Sequence, residues 1–252
     1  MRPLLLALAL LPWLAASGPA AADDPAQSGA QQVGRVLAVE GKVEATLGAA
    51  TRRVEQGEGI YLGDWVESQP DARAKIALND DTELVVGPAS RIHVDEFVYD
   101  PGKKGGKVLV EVGVGLMRFT TGALEPKSYE VKTPVASIGV RGTVFDLIVA
   151  STTAILRDGV IAITTFGGSE VIDRKDHAST VQTSTDEPEK QRPTTDEEEE
   201  ITEPLRRPFK NELTRSQGRP RIPASIQPPK VDPHQSVPKT NPSPPKMPSH
   251  RY

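Results

Sequence analysis

The stretch "TPVASIGVRGTVFDLIV", residues 133–149, reads as a buried strand along nearly its whole length, yet it holds Gly139, Arg141 and Gly142 at its centre and Asp146 beyond them. Ile138 and Val140 share one face by the two-residue period of a strand, whereas Phe145, Leu147 and Val149 fall on the other phase. The phase changes at Arg141-Gly142. A glycine at that point permits a bulge or a sharp bend, and the neighbouring Arg141 can then turn outward. Thr133-Pro134 suits the start of the segment, where a missing N–H does little harm. The competing reading is an anion cradle, in which backbone N–H groups around Gly139, Arg141, Gly142 and Thr143 combine with the Arg141 guanidinium. Glycine inside a strand pattern usually marks a bulge, so the bend is favoured, and Gly142→Val is expected to destabilise the fold.

The surrounding sequence has the same character. "VGRVLAVEGKVEATLG" reads as two short strands about Glu40-Gly41, and "ARAKIALNDDTELVVGP" as two more about Asn79-Asp80-Asp81. "KVLVEVGVGLMRFTTG" repeats the pattern, and "AILRDGVIAITTFGG" suggests a hairpin turn at Asp158-Gly159. Short strands with closely spaced Gly/Asn/Asp turns and no sustained helical period predict an all-β sandwich, barrel or solenoid over residues 33–184.

The ends differ in kind. Residues 1–22 have a basic start, an apolar core and small residues before Asp23-Asp24, the pattern of a cleavable signal peptide. Cleavage is expected after Ala22, leaving a flexible, Ala/Gln/Ser-rich leader over 23–32 and a periplasmic or secreted, non-spanning mature chain. The chain has no cysteine, so neither a disulfide nor a lipid anchor at the junction is expected. Net charge is only −4, but it is segregated. Residues 185–203 read as an acidic linker, and residues 204–252 as a basic, Pro-rich, disordered tail with polyproline II character. A short helix around Leu205 to Leu213 is a weak signal within that region.

Candidate chemistry is sparse. His93 and Asp95 alternate on one strand face, but no second cluster completes a metal or proton-transfer site, and a solvated face explains them. The acids of "LNDDTEL" do not have the spacing of a calcium loop and fit a tight turn. Trp65 is a candidate sugar-stacking platform, although large aromatics mostly bury their area. Trp65 and Arg141 are thus the residues named as candidate ligand contacts. No nucleophile elbow, zinc-binding helix or phosphate loop occurs. No enzyme activity, catalytic residue, metal or cofactor is expected, and a nucleic-acid partner is not expected either.

"GRVLAVEGKVEATLG", "GIYLGDWVESQPDARAKIALNDDTELVVGPASRIHVDEFVYDP", "VEVGVGLMRFTTG" and "YEVKTPVASIGVRGTVFDL" together resemble the FecR domain, in its stand-alone extracytoplasmic form. The resemblance runs from about Val33 to Val181. It implies a β-sandwich with solenoid-like coiling and a binding or signalling role in the periplasm, and it makes Gly63, Asp64, Thr133, Pro134, Gly139, Arg141, Gly142 and Thr143 the structural motif. The transmembrane regulators of this family relay the state of an iron transporter through a spanning helix, which this sequence lacks, so iron signalling is not carried over. The expected function is a non-catalytic binding, scaffold or signalling-accessory module engaging an envelope protein. The alternative is a peptidoglycan or carbohydrate binder.

Overall fold

The computed structural model describes residues 29–103 and 105–212. The segment expected to be a signal peptide, most of the expected leader and the expected tail beyond Glu212 lie outside the described residues. In chain order the strands are Gln32–Glu40 (β1), Val43–Leu47 (β2), Ala50–Arg53 (β3), Gly59–Tyr61 (β4), Trp65–Ser68 (β5), Arg73–Leu78 (β6), Glu83–Val86 (β7) and Arg91–Val98 (β8). They continue with Lys107–Val114 (β9), Leu116–Thr120 (β10), Tyr129–Lys132 (β11), Ser137–Ile148 (β12), Thr153–Thr164 (β13), Ser169–Ile172 (β14), His177–Thr180 (β15) and Arg192–Pro193 (β16). The helix Asp196–Arg206 (α1) follows.

All the strands belong to one curled sheet, and its pairing divides it into two limbs. One limb runs β3-β2-β5-β8-β9-β11 into the first half of β12; the other runs β4-β1-β6-β7-β10 into the second half. β13 follows β12 throughout, placing Val160 opposite Arg141 on one side of the midpoint and Leu156 opposite Phe145 on the other. β14 then extends the first limb, while β15 and β16 extend the second. A single core cluster joins Val66, Ile92 and Val110 of the first limb to Ile76, Leu84 and Phe119 of the second. The limbs therefore face each other as the two layers of a β-sandwich, driven together by the alternating apolar side chains of both.

The layers are continuous only because β12 and β13 turn a corner together. Gly142 has φ +58° and Gly159 φ +87°, both in the left-handed region that L side chains resist. The pairing slips between Arg141 and Val144. A Cβ on Gly159 would lie 2.0 Å from the Gly142 carbonyl oxygen, so the two backbones meet closely there. Thr143 replaces part of the interrupted ladder: its hydroxyl donates to Val160 O at 2.8 Å and accepts from Val160 N at 3.3 Å. The phase shift between Val140 and Phe145 is the signature of a strand passing from one layer to the other.

Two expectations are corrected. Asp158-Gly159 is no hairpin turn, because β13 runs through it; the glycine serves the corner. Nor are residues 185–203 a linker. β16 pairs with β15, and α1 starts at Thr195, whose hydroxyl accepts from Glu198 N at 3.2 Å while the Glu198 carboxylate accepts from Thr195 N at 2.9 Å. This capping box satisfies two of the donors a helix leaves open at its start. The acids of the first turn, which look like a solvated run in sequence, meet the positive end of the helix dipole. The helix at 196–206 thus precedes most of the weak signal at 205–213, within which residues 210–212 are helical as well.

Candidate functional site

The two outer faces of the sandwich have different fates. Over the second layer, Leu205 and Phe209 pack on Ala38, Val85 and Leu116. Arg73, only 2% exposed, bonds Glu40 Oε2 at 2.8 Å and the carbonyls of Pro204, Arg207 and Pro208 at 2.8, 2.6 and 2.8 Å. Its guanidinium also lies 4.0 Å from the Phe209 ring centroid. Asp146 is fully buried beneath α1, held by Arg118 Nε at 2.6 Å and Arg157 Nε at 2.8 Å. Arg157 reaches on to Glu199 at 2.5 Å. Burial opposes its charge, but hydrogen bonds from these carboxylates outweigh that and hold its pKa above the ordinary arginine value. The charge at Asp146 is therefore a bolt between sheet and helix.

No helix covers the outer face of the first layer among the described residues. Strand register there aligns Thr46, Trp65, His93, Glu111, Lys132 and Ser137 in one row across β2, β5, β8, β9, β11 and β12. Trp65 stacks on His93, with centroids 4.4 Å apart and planes at 9°, and Arg91 sits 4.2 Å from its ring. The π-surface required for sugar stacking is thus engaged by its own neighbours. His93 Nδ1 lies 3.4 Å from Glu111 and 3.9 Å from Asp95. Among the described residues no cluster of three or more metal-ligating side chains occurs. Beside Trp65 a cleft of ≈ 240 Å³ is bordered by Gly113, Lys132, Thr133 and Pro134.

Farther along this face lies a larger groove of ≈ 590 Å³. Its apolar lining includes Val160 and Ala162 of β13, Val171 of β14 and Pro126. Gly139 belongs to its lining, and a Cβ there would meet nothing within 4 Å, so the backbone is left uncovered. Val171 is 51% exposed although it is apolar. Arg141 stands at the rim, exposed and without an ion-pair partner among the described residues. The turn Pro126–Ser128 supplies Lys127, which pairs at 3.7 Å with Glu125 in solvent. At the tip of the β13–β14 hairpin Phe166 is 91% exposed. Its turn is nonetheless fixed: Phe166 N donates to Ser184 O at 2.8 Å, and the Thr165 hydroxyl donates to Asp186 O at 2.6 Å.

The structure thus brings Trp65 together with Thr133-Pro134 and, separately, gathers Gly139 with Arg141. The remaining motif residues are scaffold. Asp64 is buried, pairs with Arg52 through contacts of 2.9 and 2.5 Å, and accepts from Tyr61 N at 2.7 Å, while Gly63 has φ +87° in the preceding turn. Thr133 caps the β11–β12 turn, its hydroxyl accepting from Ala136 N at 3.0 Å. In "LNDDTEL" Asp80 is buried and accepts from the hydroxyls of Thr82 at 2.7 Å and Tyr129 at 3.0 Å, which accounts for that acid without an ion. Sequence reasoning passed over Val160, Ala162, Val171, Lys127 and Phe166. For Phe166 a signal existed, since an aromatic next to Gly167-Gly168 has little chance of a core position.

Residues 64–169 match the family model described as FecR protein. Two crystal structures of a candidate anti-sigma factor from Parabacteroides distasonis ATCC 8503 align with TM-scores of 0.42 at 13% identity, each over 52% of this chain and 59% of its own. The alignment thus spans less than two thirds of those chains. No curated protein matches this one.

Proposed function

Starting from a chain that carries a FecR domain, we propose that it works as a non-catalytic signalling-accessory module, docking a protein partner of the cell envelope on the outer face of its first layer. The observation that carries this reading is the asymmetry of the sandwich. One outer face is sealed by α1 and the clamp of Arg73, whereas the other leaves a groove of ≈ 590 Å³ with Val171 and Arg141 open to solvent. Solvent-exposed apolar surface collected in a groove is the usual mark of an interaction site. The signal-peptide pattern of residues 1–22 supports a place outside the cytoplasm. Among the described residues no helix is long and apolar enough to cross a membrane. The acids and bases of the first face pair with one another, as His93 does with Glu111, and this supports binding over catalysis.

The test is in-cell photo-crosslinking of the full-length protein, with the photoreactive side chain placed at Val171 and, as a control, at the solvent side of α1 in place of Glu200. A discrete protein adduct at Val171, missing at Glu200, is the expected result. Equal labelling at both positions, or none at Val171, would sink the reading.

A further inference from the structure

We propose that the groove takes an extended peptide segment of the partner, one that presents alternating apolar side chains followed by a carboxylate. The inference rests on the docking face assigned above and specifies what that face recognises. Three features of the groove define the occupant. First, its wall is built from consecutive outward positions of neighbouring strands: Gly139 lies opposite Ala162, which lies opposite Val171, and Arg141 lies opposite Val160. Such a surface has the two-residue repeat of a strand, and an extended segment has the matching period. Second, the small side chains Gly139 and Ala162 occupy the middle while Val160 and Val171 flank them. The result is a trough shaped for inserted aliphatic groups.

Third, the charge at the rim is unbalanced. Arg141 has no carboxylate partner among the described residues, while Lys127 is satisfied by Glu125. A guanidinium beside an apolar wall favours a carboxylate, since its planar donors match both oxygens. The same charge speaks against the chain's own remaining segment. Residues 213–252 carry seven Lys or Arg against one acid, Asp232. The acidic run 196–200 is unavailable because it forms the first turns of α1.

The experiment is selection of a displayed library of random dodecamers against the full-length protein, run in parallel on Arg141→Glu and Ala162→Arg. Both substitutions sit on the outer face, so a thermal melt matching the parent chain certifies each variant before selection. Enriched peptides should alternate aliphatic residues and carry Asp or Glu. Arg141→Glu should weaken the acidic peptides on the order of fivefold and favour basic ones. Ala162→Arg should abolish enrichment by filling the trough. No enrichment, or enrichment indifferent to either substitution, would overturn the proposal. Self-association of the chain that Ala162→Arg removes would also overturn it, by assigning the groove to a second copy. A partner captured at Val171 but indifferent to Arg141→Glu would overturn only the peptide chemistry, leaving the docking face in place.

Discussion

The two outer faces of this sandwich share two strands, β12 and β13, yet one is closed and the other open. Across β12 the difference comes down to residue type. Before the corner its outward positions are Ser137, Gly139 and Arg141; beyond it, Asp146 and Ile148 are buried under the C-terminal segment. A buried carboxylate needs partners, and Arg118, Arg157 and the helix residues around Glu199 supply a closed network. Exposed small residues need none. Covering one face with a self-contained strap leaves the other available, so the asymmetry separates stability from recognition.

The corner is where the comparison breaks most readily. Gly159→Val should cost at least ~4 kcal/mol, because its Cβ meets the Gly142 carbonyl and the backbone there is left-handed. Gly142→Val, strained by its φ of +58° but facing open space, should cost about 2 kcal/mol. Thermal unfolding that ranked the two in reverse order would undo the account of the corner.

The strap can be broken by itself. Arg73→Ala takes the main charge partner from Glu40 and the donor from three carbonyl groups, an expected loss of about 3 kcal/mol. Amide exchange should then accelerate across residues 192–212 while β11 and β14 keep their protection. Uniform loss of protection would show that strap and sandwich unfold as one unit.

Acidification sharpens the same contrast more gently. Glu40 is held below its ordinary value chiefly by the hydrogen bond from Arg73. For Glu198, Glu199 and Glu212 burial pushes upward, but bonds from Arg192, from Arg157, and from Phe209 N with Lys75, respectively, outweigh it. These four carboxylates lie in the strap or against it. Because their folded values fall below the ordinary 4.5, the detached strap binds more protons as pH falls. Their stabilisation is complete above about pH 4.5 and disappears as pH drops through the folded values. The melting temperature should decline over that range, with the decline reduced in Glu198→Gln, which carries no titratable group. The smallest effect is expected on the open face, where Val171→Asp should alter stability by less than ~0.5 kcal/mol and yet remove the crosslinked partner.

The architecture was largely legible because a strand prints its burial with a period of two. The switch of phase between Val140 and Phe145 announced the corner before any coordinate. Asp158-Gly159 misled because a glycine next to an aspartate has the same local chemistry in a hairpin as in a bulge; only the partner strand distinguishes them. The strap was misread for a related reason. Asp196 to Glu200 is polar and unbroken, and its helix exists through the Thr195 cap and contacts more than a hundred residues away at Arg73. Of the docking face, Gly139 and Arg141 stood out as anomalies inside a strand. Val160, Ala162 and Val171 did not, since outward valines and alanines are ordinary in any sheet.

Composition and periodicity by themselves determined that this is a β protein with a bend at Gly142, because backbone sterics and side-chain alternation act over a few residues. Which outer face is sealed, and where an apolar groove stays open beside an unpaired Arg141, was decided by tertiary structure alone. Both depend on residues distant in sequence meeting across strand register and on the strap's choice of one layer, and local chemistry does not encode either.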